Sequence, residues 1–203
     1  MLIRDAQQAE LDDVAALMVA AYREYAPLMP PAAWRAYARD IEAVRGRLGH
    51  SRLIVCHASG GLAGAVTFYP PGSGPWWPRE WAGFRLLAVD PERRGEGVGR
   101  ALVAETIVRA GAVAAPALGI HSTPWMTAAV ALYRSLGFVR DPRCDFEPGI
   151  PMSDGSPLRV DCYRLDLRAG GPAGRAGVRT SDRPITDRDR PRPRSRRGPT
   201  SPH

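Results

Sequence analysis

Three glycines stand within five residues of the stretch VDPERRGEGVGRALV, at positions 95, 97 and 99, between a predicted strand and a predicted helix. The first backbone N–H groups of a helix have no partner within the helix, and with the helix dipole they attract anions. Glycine leaves that backbone open because it has no side chain. The spacing therefore predicts a phosphate-binding turn, with a close-packing turn or an ordinary loop as the alternatives.

Two familiar nucleotide-binding arrangements fit this stretch poorly. The dinucleotide fingerprint ends on a small residue, but Arg100 or Leu102 stands at that position. The next strand ends at Gly119, Ile120 and His121 and has no acidic residue for a ribose. The chain contains no lysine, which excludes a Walker-type phosphate loop and Schiff-base chemistry.

The positive charge of the chain is concentrated at its C-terminal end. Residues 168–203 hold ten arginines and three aspartates, whereas residues 1–167 hold eighteen arginines and eighteen acidic residues. The end segment is rich in Pro, Gly and Arg and poor in apolar residues. We therefore expect one folded domain over 1–167 and a disordered basic tail over 168–203. The tail has no aromatic residue to stack on bases, so we expect no nucleic-acid partner.

The remaining composition favours a cytoplasmic protein. Three cysteines, an odd number without metal-ligand spacing, indicate a reducing compartment and no metal site. No signal peptide or membrane span is predicted. We expect a monomer or a homodimer with no membrane partner.

Hydrophobic periodicity predicts a mixed α/β fold for the domain. The predicted order is a strand, two helices, three strands, a helix, a strand, a helix and two strands. The two early helices cover 10–25 and 29–50, the strands before the glycines cover 51–57, 61–69 and 81–89, and a strand covers 117–121. The last two strands, 138–146 and 158–167, are expected to pair across a loop.

The pair of motifs LLAVDPERRGEGVGRALV and AAVALYRSLGF resembles the GCN5-related N-acetyltransferase (GNAT) family. The family signature is Arg or Gln, two residues, Gly, one residue, and Gly or Ala, which residues 94–99 match. The resemblance extends over about 2–167. It implies the GNAT acyltransferase fold, a mixed sheet of six to seven strands flanked by about four helices, and acetyl-CoA as the cosubstrate.

The resemblance also implies where acetyl-CoA binds. Its pyrophosphate would lie on the loop amides, with Arg100 adding charge at the rim, and its pantetheine arm would run along the end of the preceding strand, where that strand separates from 117–121. The implied cofactor-binding residues are Leu87, Ala88, Val89, Arg94, Gly95, Glu96, Gly97, Val98, Gly99 and Arg100.

Acetyl transfer to an amine needs a neutral amine, a stabilised oxyanion and a proton for the departing thiolate. The resemblance assigns the oxyanion to a backbone N–H near Val89 and the proton to the phenol of Tyr133, which otherwise only packs. His121 is the first candidate for the base, because an imidazole is expected to titrate near the working pH. Glu80 is the second, and a water chain would need neither. Met126 departs from the family, where many members have Asn.

The acceptor pocket is expected between the first two helices, the loop before residue 81 and the loop between the last two strands. Six aromatic residues and one methionine in these regions suit an apolar or cationic amine, or simply pack. This set is Tyr22, Tyr25, Met29, Trp34, Trp76, Trp77 and Trp81. The sequence thus predicts an N-acetyltransferase for a primary amine, on a small molecule or a peptide N-terminus, acting through a ternary complex. The alternatives are a non-catalytic acyl-CoA-binding sensor and a carrier for a functional basic tail.

Overall fold

The structure, a computed structural model, describes residues 1–74 and 76–167, and the predicted basic tail lies outside the described residues. Seven strands and five helices follow one another within them. The strands are β1 (Leu2–Asp5), β2 (Arg52–Ala58), β3 (Gly61–Tyr69), β4 (Ala82–Val89), β5 (Ala117–Ser122), β6 (Val139–Arg140) and β7 (Asp161–Asp166). The helices are α1 (Leu11–Tyr22), α2 (Pro31–Glu42), α3 (Val44–Arg47), α4 (Val98–Ala112) and α5 (Thr127–Ser135).

Both early helices end sooner than the sequence predicted. α1 gives way at Tyr22 to a 3-10 turn over Arg23–Leu28, which contains Pro27. Proline cannot donate to the helix ladder and clashes with the preceding turn. The predicted helix 29–50 is broken between α2 and α3, where Arg47 donates to the carbonyl of Ile41, at 2.7 Å, and caps α2. This break accounts for the fifth helix.

The seven strands form one sheet in the order β1-β2-β3-β4-β5-β7-β6. Every neighbouring pair is antiparallel except β4 and β5, which are parallel. The expected pairing of the last two strands is confirmed, but the first of them is short. β6 stops at Arg140 because a 3-10 turn over Pro142–Cys144 follows, and pairing resumes only at Phe146, opposite Val160.

The helices cover both faces of this sheet. α1 and α2 bury Leu11, Val14, Met18 and Ile41 against one face, where Val55 lies. On the other face α4 and α5 pack against residues that alternate with those of the first, including Ile54, Val66, Phe84 and Leu118. This alternation is what period-two side-chain orientation requires of a sheet buried on both sides.

An irregularity in β4 separates it from β5. The pairing of β3 with β4 shifts between Ala65 and Thr67, so that β4 contains one extra residue, and Leu86 there has φ 55°. A positive φ in a non-glycine residue with a register shift marks a β-bulge, which bends its strand. β4 and β5 pair only as far as Phe84 and Ile120. Beyond this point the sheet opens.

β3 approaches α4 so closely at Gly64 that this position has no room for a side chain, which a substitution can test. A Cβ there would lie 2.7 Å from the carbonyl oxygen of Ala88 and 2.8 Å from Cγ1 of Val98. We expect Gly64→Ala to lower the free energy of unfolding by about 1–3 kcal/mol, because backbone must move to relieve the clash. Gly111→Ala is the control, since nothing lies within 4 Å of its Cβ. In an exposed helical position it should raise stability by about 0.5–1 kcal/mol. Urea denaturation measures both, and equal stability of the two variants would contradict this packing.

Candidate active site

The glycine stretch connects the end of β4 to the start of α4. Gly95 and Gly97 have φ values of 85° and 83°, in the left-handed region, and Gly97 is the N-cap of α4. The first bond of the helix runs from the amide of Ala101 to the carbonyl of Gly97, at 3.0 Å. The amides of residues 97–100 therefore have no partner in the helix ladder and form an anion site.

The close-packing alternative finds no support at the first two glycines. A Cβ on Gly95 would meet nothing within 4 Å, and one on Gly97 only the Cε atom of Met1, at 3.9 Å. These two glycines are needed for their backbone conformation. Gly99 has ordinary φ, and its Cβ would lie 3.5 Å from Val89 and from Leu132, which is normal van der Waals contact.

The charged side chains around the glycines have different partners. Arg94 is paired with Glu24 at 2.8 and 3.0 Å, which lowers the pKa of that carboxyl group and ties the loop to the segment after α1. Arg100 donates to the hydroxyl of Ser135 at 2.8 Å. Glu96 lies 3.5 Å from Arg93. Arg100 is therefore the arginine that can reorient toward an anion without breaking a carboxylate pair.

The end of β4 presents a free edge toward β5. Ala88 pairs with Ala65 and Val89 with Gly64 on the β3 side, but within the described sheet neither has a partner in β5. The amide of Asp90 donates to Ala63 of β3 at 3.0 Å. Because consecutive amides of a strand point to opposite edges, the N–H of Val89 points into the opening.

Tyr133 lies in the core on the side of the sheet that α4 and α5 cover, and it does not belong to the described lining of the cavity beside His121. It is 3% exposed, and its ring packs against those of Phe84, Phe138 and Tyr163, with centroids 5.7, 5.9 and 6.4 Å away. Burial raises the pKa of Tyr133 above its ordinary value, so the phenol stays protonated at neutral pH. Its proton-donor role therefore stays a prediction.

His121 lies on β5, with its ring held on three sides. Nε2 is 2.9 Å from the carbonyl oxygen of Cys144, the ring stacks on Trp77 at 5.8 Å, and Phe146 meets its edge at 5.0 Å. A carbonyl only accepts, so Nε2 carries the hydrogen and Nδ1 keeps a free lone pair. Burial lowers the pKa of His121 to about 4. The expectation that this imidazole titrates near the working pH is therefore not met.

The indole of Trp77 stacks on His121 and occupies the space that two strand glycines leave open. A Cβ on Gly83 would fall 2.0 Å from Cζ2 of Trp77, and one on Gly119 would fall 3.4 Å from its Cγ. Two strand glycines therefore make room for the indole that stacks on the imidazole. This explains why the strand WAGFRLLAV contains a glycine.

A cavity of about 420 Å³ opens beside His121, between α1, α2, the end of β4 and the segment before β7. Its walls are mostly apolar, and the charged groups among its described lining residues are Asp40 and Arg85. Glu80 is exposed in the turn before β4 and does not belong to this lining. The structure thus brings His121, but not Glu80, to the cavity.

The predicted acceptor residues divide into lining and packing groups. Those that line the cavity are Tyr22, Met29 and Trp76. Trp77 and Trp81 are buried with Tyr69 in a separate cluster, while Tyr25 and Trp34 pack edge to face against other rings. Sequence reasoning placed the pocket against the second helix but missed Arg85 and the residues of α2 that line the cavity, such as Tyr37 and Asp40. A single charge within the apolar strand FRLLAV was the signal that could have found Arg85.

Met126 is the N-cap of α5 and lines the cavity. Its amide donates to the carbonyl of Thr123 at 3.1 Å. Three polar groups nearby, the hydroxyls of Ser122 and Thr123 and the indole N–H of Trp125, are buried without a hydrogen-bond partner among the described residues. Near Met126, where many family members have Asn, these three groups are therefore the polar groups that could form hydrogen bonds.

The described residues contain neither a candidate metal site nor a candidate membrane-spanning helix. No group of three or more His, Cys, Asp and Glu side chains there is placed to hold a metal ion. None of the described helices combines the length and apolar character that crossing a membrane requires.

The low pKa of His121 predicts a pH dependence of stability. Between its ordinary value of 6.5 and about 4, the unfolded chain binds a proton that the native imidazole does not. Stability should therefore be full above pH 6.5 and fall as the pH drops to about 4, by up to about 3 kcal/mol. His121→Gln is the control, because its amide can still donate to Cys144 but does not titrate. Denaturation of both proteins at several pH values, with NMR titration of the imidazole, tests this, and a native pKa near 6.5 would contradict it.

Comparison with known proteins identifies the architecture. Residues 49–140 match the family model described as an acetyltransferase (GNAT) domain. No curated protein sequence matches the chain. Among solved structures, the ribosomal-protein-alanine N-acetyltransferase from Brucella melitensis superposes with a TM-score of 0.60 at 23% identity, covering 82% of this chain and 100% of that one.

Two further structures give similar values. The protein yncA from Salmonella typhimurium, solved with its cofactor acetyl-CoA, has a TM-score of 0.59 at 21% identity, over 85% of this chain and 97% of that one. The ribosomal-protein-S18-alanine N-acetyltransferase from Escherichia coli has a TM-score of 0.60 at 19% identity, over 86% and 99%. At these identities the likeness establishes the fold. With the family match over residues 49–140, it confirms the resemblance: this chain contains a stretch that matches the acetyltransferase (GNAT) domain and has the fold of the GCN5-related N-acetyltransferases.

Proposed function

We propose that this protein is an N-acetyltransferase that moves acetyl from acetyl-CoA directly to a primary amine, within a ternary complex. The observation that carries the proposal is the open end of β4, which has an anion-binding helix start on one side and an apolar cavity on the other. Both substrates can therefore meet at one sheet opening. We further propose that residues 1–167 are the catalytic domain.

The residues of the opening fit acetyl-CoA. The free amides at the start of α4 suit its pyrophosphate, and the unpaired edge at the end of β4 suits the amides of an extended pantetheine arm. When bound, acetyl-CoA supplies the activated acetyl thioester. The family match and the yncA structure with acetyl-CoA support this assignment.

The chain's own groups would then divide the chemistry among them. The N–H of Val89 points into the opening and would donate to the thioester oxygen as negative charge develops there. The phenol of Tyr133, kept protonated by burial, would return a proton to the sulfur. His121 presents a lone pair at Nδ1 and would accept a hydrogen bond from the amine. Because the pKa of His121 is low, the imidazole would orient a neutral amine and would not act as the base that accepts the proton of the amine.

The decisive experiment combines binding with turnover. Calorimetry would measure acetyl-CoA and CoA binding to the full chain, and thiol release would then be followed with a panel of amines. Binding followed by thiol release establishes the enzyme. Binding without release for any amine favours the non-catalytic acyl-CoA sensor, and no binding refutes both readings.

Gly99 allows a selective test of the phosphate site. We expect Gly99→Glu to weaken acetyl-CoA binding by at least 100-fold, because it places a carboxylate among the free amides at the helix start. Gly99→Ala is the matched control, since its Cβ makes only ordinary contacts at 3.5 Å, and it should bind within a few-fold of the parent protein. Calorimetric titration of both variants measures this. Undiminished binding by Gly99→Glu would place the phosphates elsewhere.

Tyr133 allows a separate test of proton transfer. We expect Tyr133→Phe to reduce kcat by ~10²-fold or more while leaving the acetyl-CoA affinity unchanged, because only the hydroxyl is lost. Phe138→Leu, a change beside the same ring, is the packing control and should alter stability more than kcat. Steady-state kinetics and calorimetry separate these effects, and an unchanged kcat in Tyr133→Phe would leave the residue a packing role.

A further inference from the structure

The cavity contains one arginine at its inner wall. Arg85 is on β4, directly after the last residue that pairs with β5, and it lines the cavity together with His121. Its guanidinium lies 4.2 Å above the ring of Trp76. Burial dominates the pKa shifts of Tyr22, Tyr37 and His121, and Arg85 pulls each of these pKa values down. The cation therefore acts on groups all around the cavity.

This guanidinium interacts with the hydroxyl of Tyr69 but, unlike others of similar burial, has no close carboxylate among the described residues. Arg140, with 26% of its side chain exposed, holds the two oxygens of Asp145 at 2.7 and 2.8 Å. Arg85 is 25% exposed, but its nearest carboxylate among the described residues, that of Asp40, is 3.6 Å away and half exposed at the cavity rim. A cation partly removed from water gains from a closer anion. Arg85 thus has room for one.

Arg85 also lies beside the candidate amine-orienting residue. Phe84 pairs with Ile120, and both belong to the core under α4. The next residues along each strand, Arg85 and His121, therefore face the opposite side of the sheet, toward the cavity. Parallel strands are about 4.8 Å apart, so the two side chains enter the cavity from neighbouring strands where the sheet opens, and, besides burial, the charge of Arg85 acts on His121 and lowers its pKa. This spacing suits a molecule that carries an amine and an acid on one carbon atom.

The remainder of the cavity suits an apolar side chain. Its walls include Met29, Tyr37 and Ile150, and its volume of about 420 Å³ is within the range of small-ligand sites. The face of Trp76, which could have attracted a cationic amine, is covered by Arg85. A purely cationic acceptor would therefore meet a positive charge instead of a free ring.

We propose that Arg85 binds the carboxylate of the acceptor, so that the acceptor is an α-amino acid with a bulky apolar side chain, whose α-amine lies beside His121. This inference rests on the proposed N-acetyltransferase function and names its substrate class. In the reaction, the bond between the amine nitrogen and the acetyl carbon forms and the carbon–sulfur bond breaks. The neutral amine loses one proton, and the sulfur gains one. The products are an N-acetyl amino acid and CoA.

Matched pairs of acceptors test the carboxylate directly. L-Phenylalanine, L-leucine, L-methionine and L-tryptophan are compared with their amides and with the corresponding amines, in thiol-release assays with the full chain and acetyl-CoA. Amidation lowers the pKa of an α-amine by removing the neighbouring negative charge, so a free amide should react faster if charge recognition plays no part. We expect kcat/KM to be at least 10-fold higher for the acid of one or more pairs, mainly through KM.

Substitutions then locate this preference. Arg85→Met keeps an apolar stem over Trp76 and should abolish the preference for the acid, whereas Arg85→Lys should keep part of it. Asp40→Asn removes the competing carboxylate and should lower KM for the acid. Arg39→Met, an exposed arginine on the same helix as Asp40, is the control and should change nothing. Acetyl-CoA affinity, measured for every variant, shows that each remains folded.

The outcomes separate this inference from the function on which it rests. Thiol release with amides or simple amines as good as the acids, or a preference for acids that survives in Arg85→Met, overturns the carboxylate site and leaves the enzyme intact. Calorimetry with L-phenylalanine on the CoA-bound protein gives an independent measure. If no amine is acetylated but the amino acid binds and Arg85→Met does not bind it, the enzymatic function fails and the carboxylate site stands.

Discussion

The extra residue in β4 is the constraint on which the rest of the site depends. It forces Leu86 to a φ of 55°, which costs about 1–3 kcal/mol, and it turns the strand away from β5 after Phe84. The opened sheet leaves one backbone edge of β4 unpaired. The hydrophobic cores on both faces of the sheet stabilise the fold enough to offset the cost of this unpaired edge and of the strained Leu86. A regular β4 would pair along its whole length and would close the edge and the cavity together.

Local signals in the sequence predicted much of this arrangement. The glycines at 95 and 97, with a strand before them and a helix after them, indicated the turn because only a positive φ lets the chain enter α4 there. The succession of strands and helices along the chain was also predicted, because the alternation of apolar residues and the turn residues are local properties of the sequence. The breaks after Tyr22 and at Ala43 were missed, although Pro27 stood only two residues beyond the end of the first predicted helix.

Contacts between distant segments could not be predicted in this way. Asp40 is on α2 and Arg85 on β4, and nothing in either segment says that the two side chains share a cavity. Burial, to which Trp77 and Phe146 contribute, lowers the pKa of His121, and the carbonyl of Cys144 opposes this shift; these groups come from two distant parts of the chain. Sequence reasoning placed His121 at the site but used the pKa of a solvated imidazole, because burial is a property of the assembled fold.

Because the chain contains no lysine, its positive side-chain charges at neutral pH are carried by arginine, which does not lose its proton. A buried lysine can lose its proton, whereas an arginine keeps its charge and must find a partner. Most partly buried arginines here do so: Arg4 lowers the pKa of Glu10 to about 2, and Arg140 donates to both carboxylate oxygens of Asp145. Arg85 is the exception at the cavity, because Asp40 remains at the rim. Its permanent charge makes an anionic group on the incoming molecule the simplest way to complete the pairing.

Burial at the cavity bears equally on how the amine becomes reactive. An ammonium ion placed beside His121 would enter the desolvated and electropositive surroundings that lower the pKa of the imidazole to about 4. The same physics lowers the pKa of the ammonium, so the proton leaves before or during entry and need not be removed by a strong base. A carboxylate bound at Arg85 would offset the positive field without restoring water around the amine. The cavity itself would then supply the neutral nucleophile. The proposed acetylation would therefore need no carboxylate base, and the described lining of the cavity has none besides Asp40.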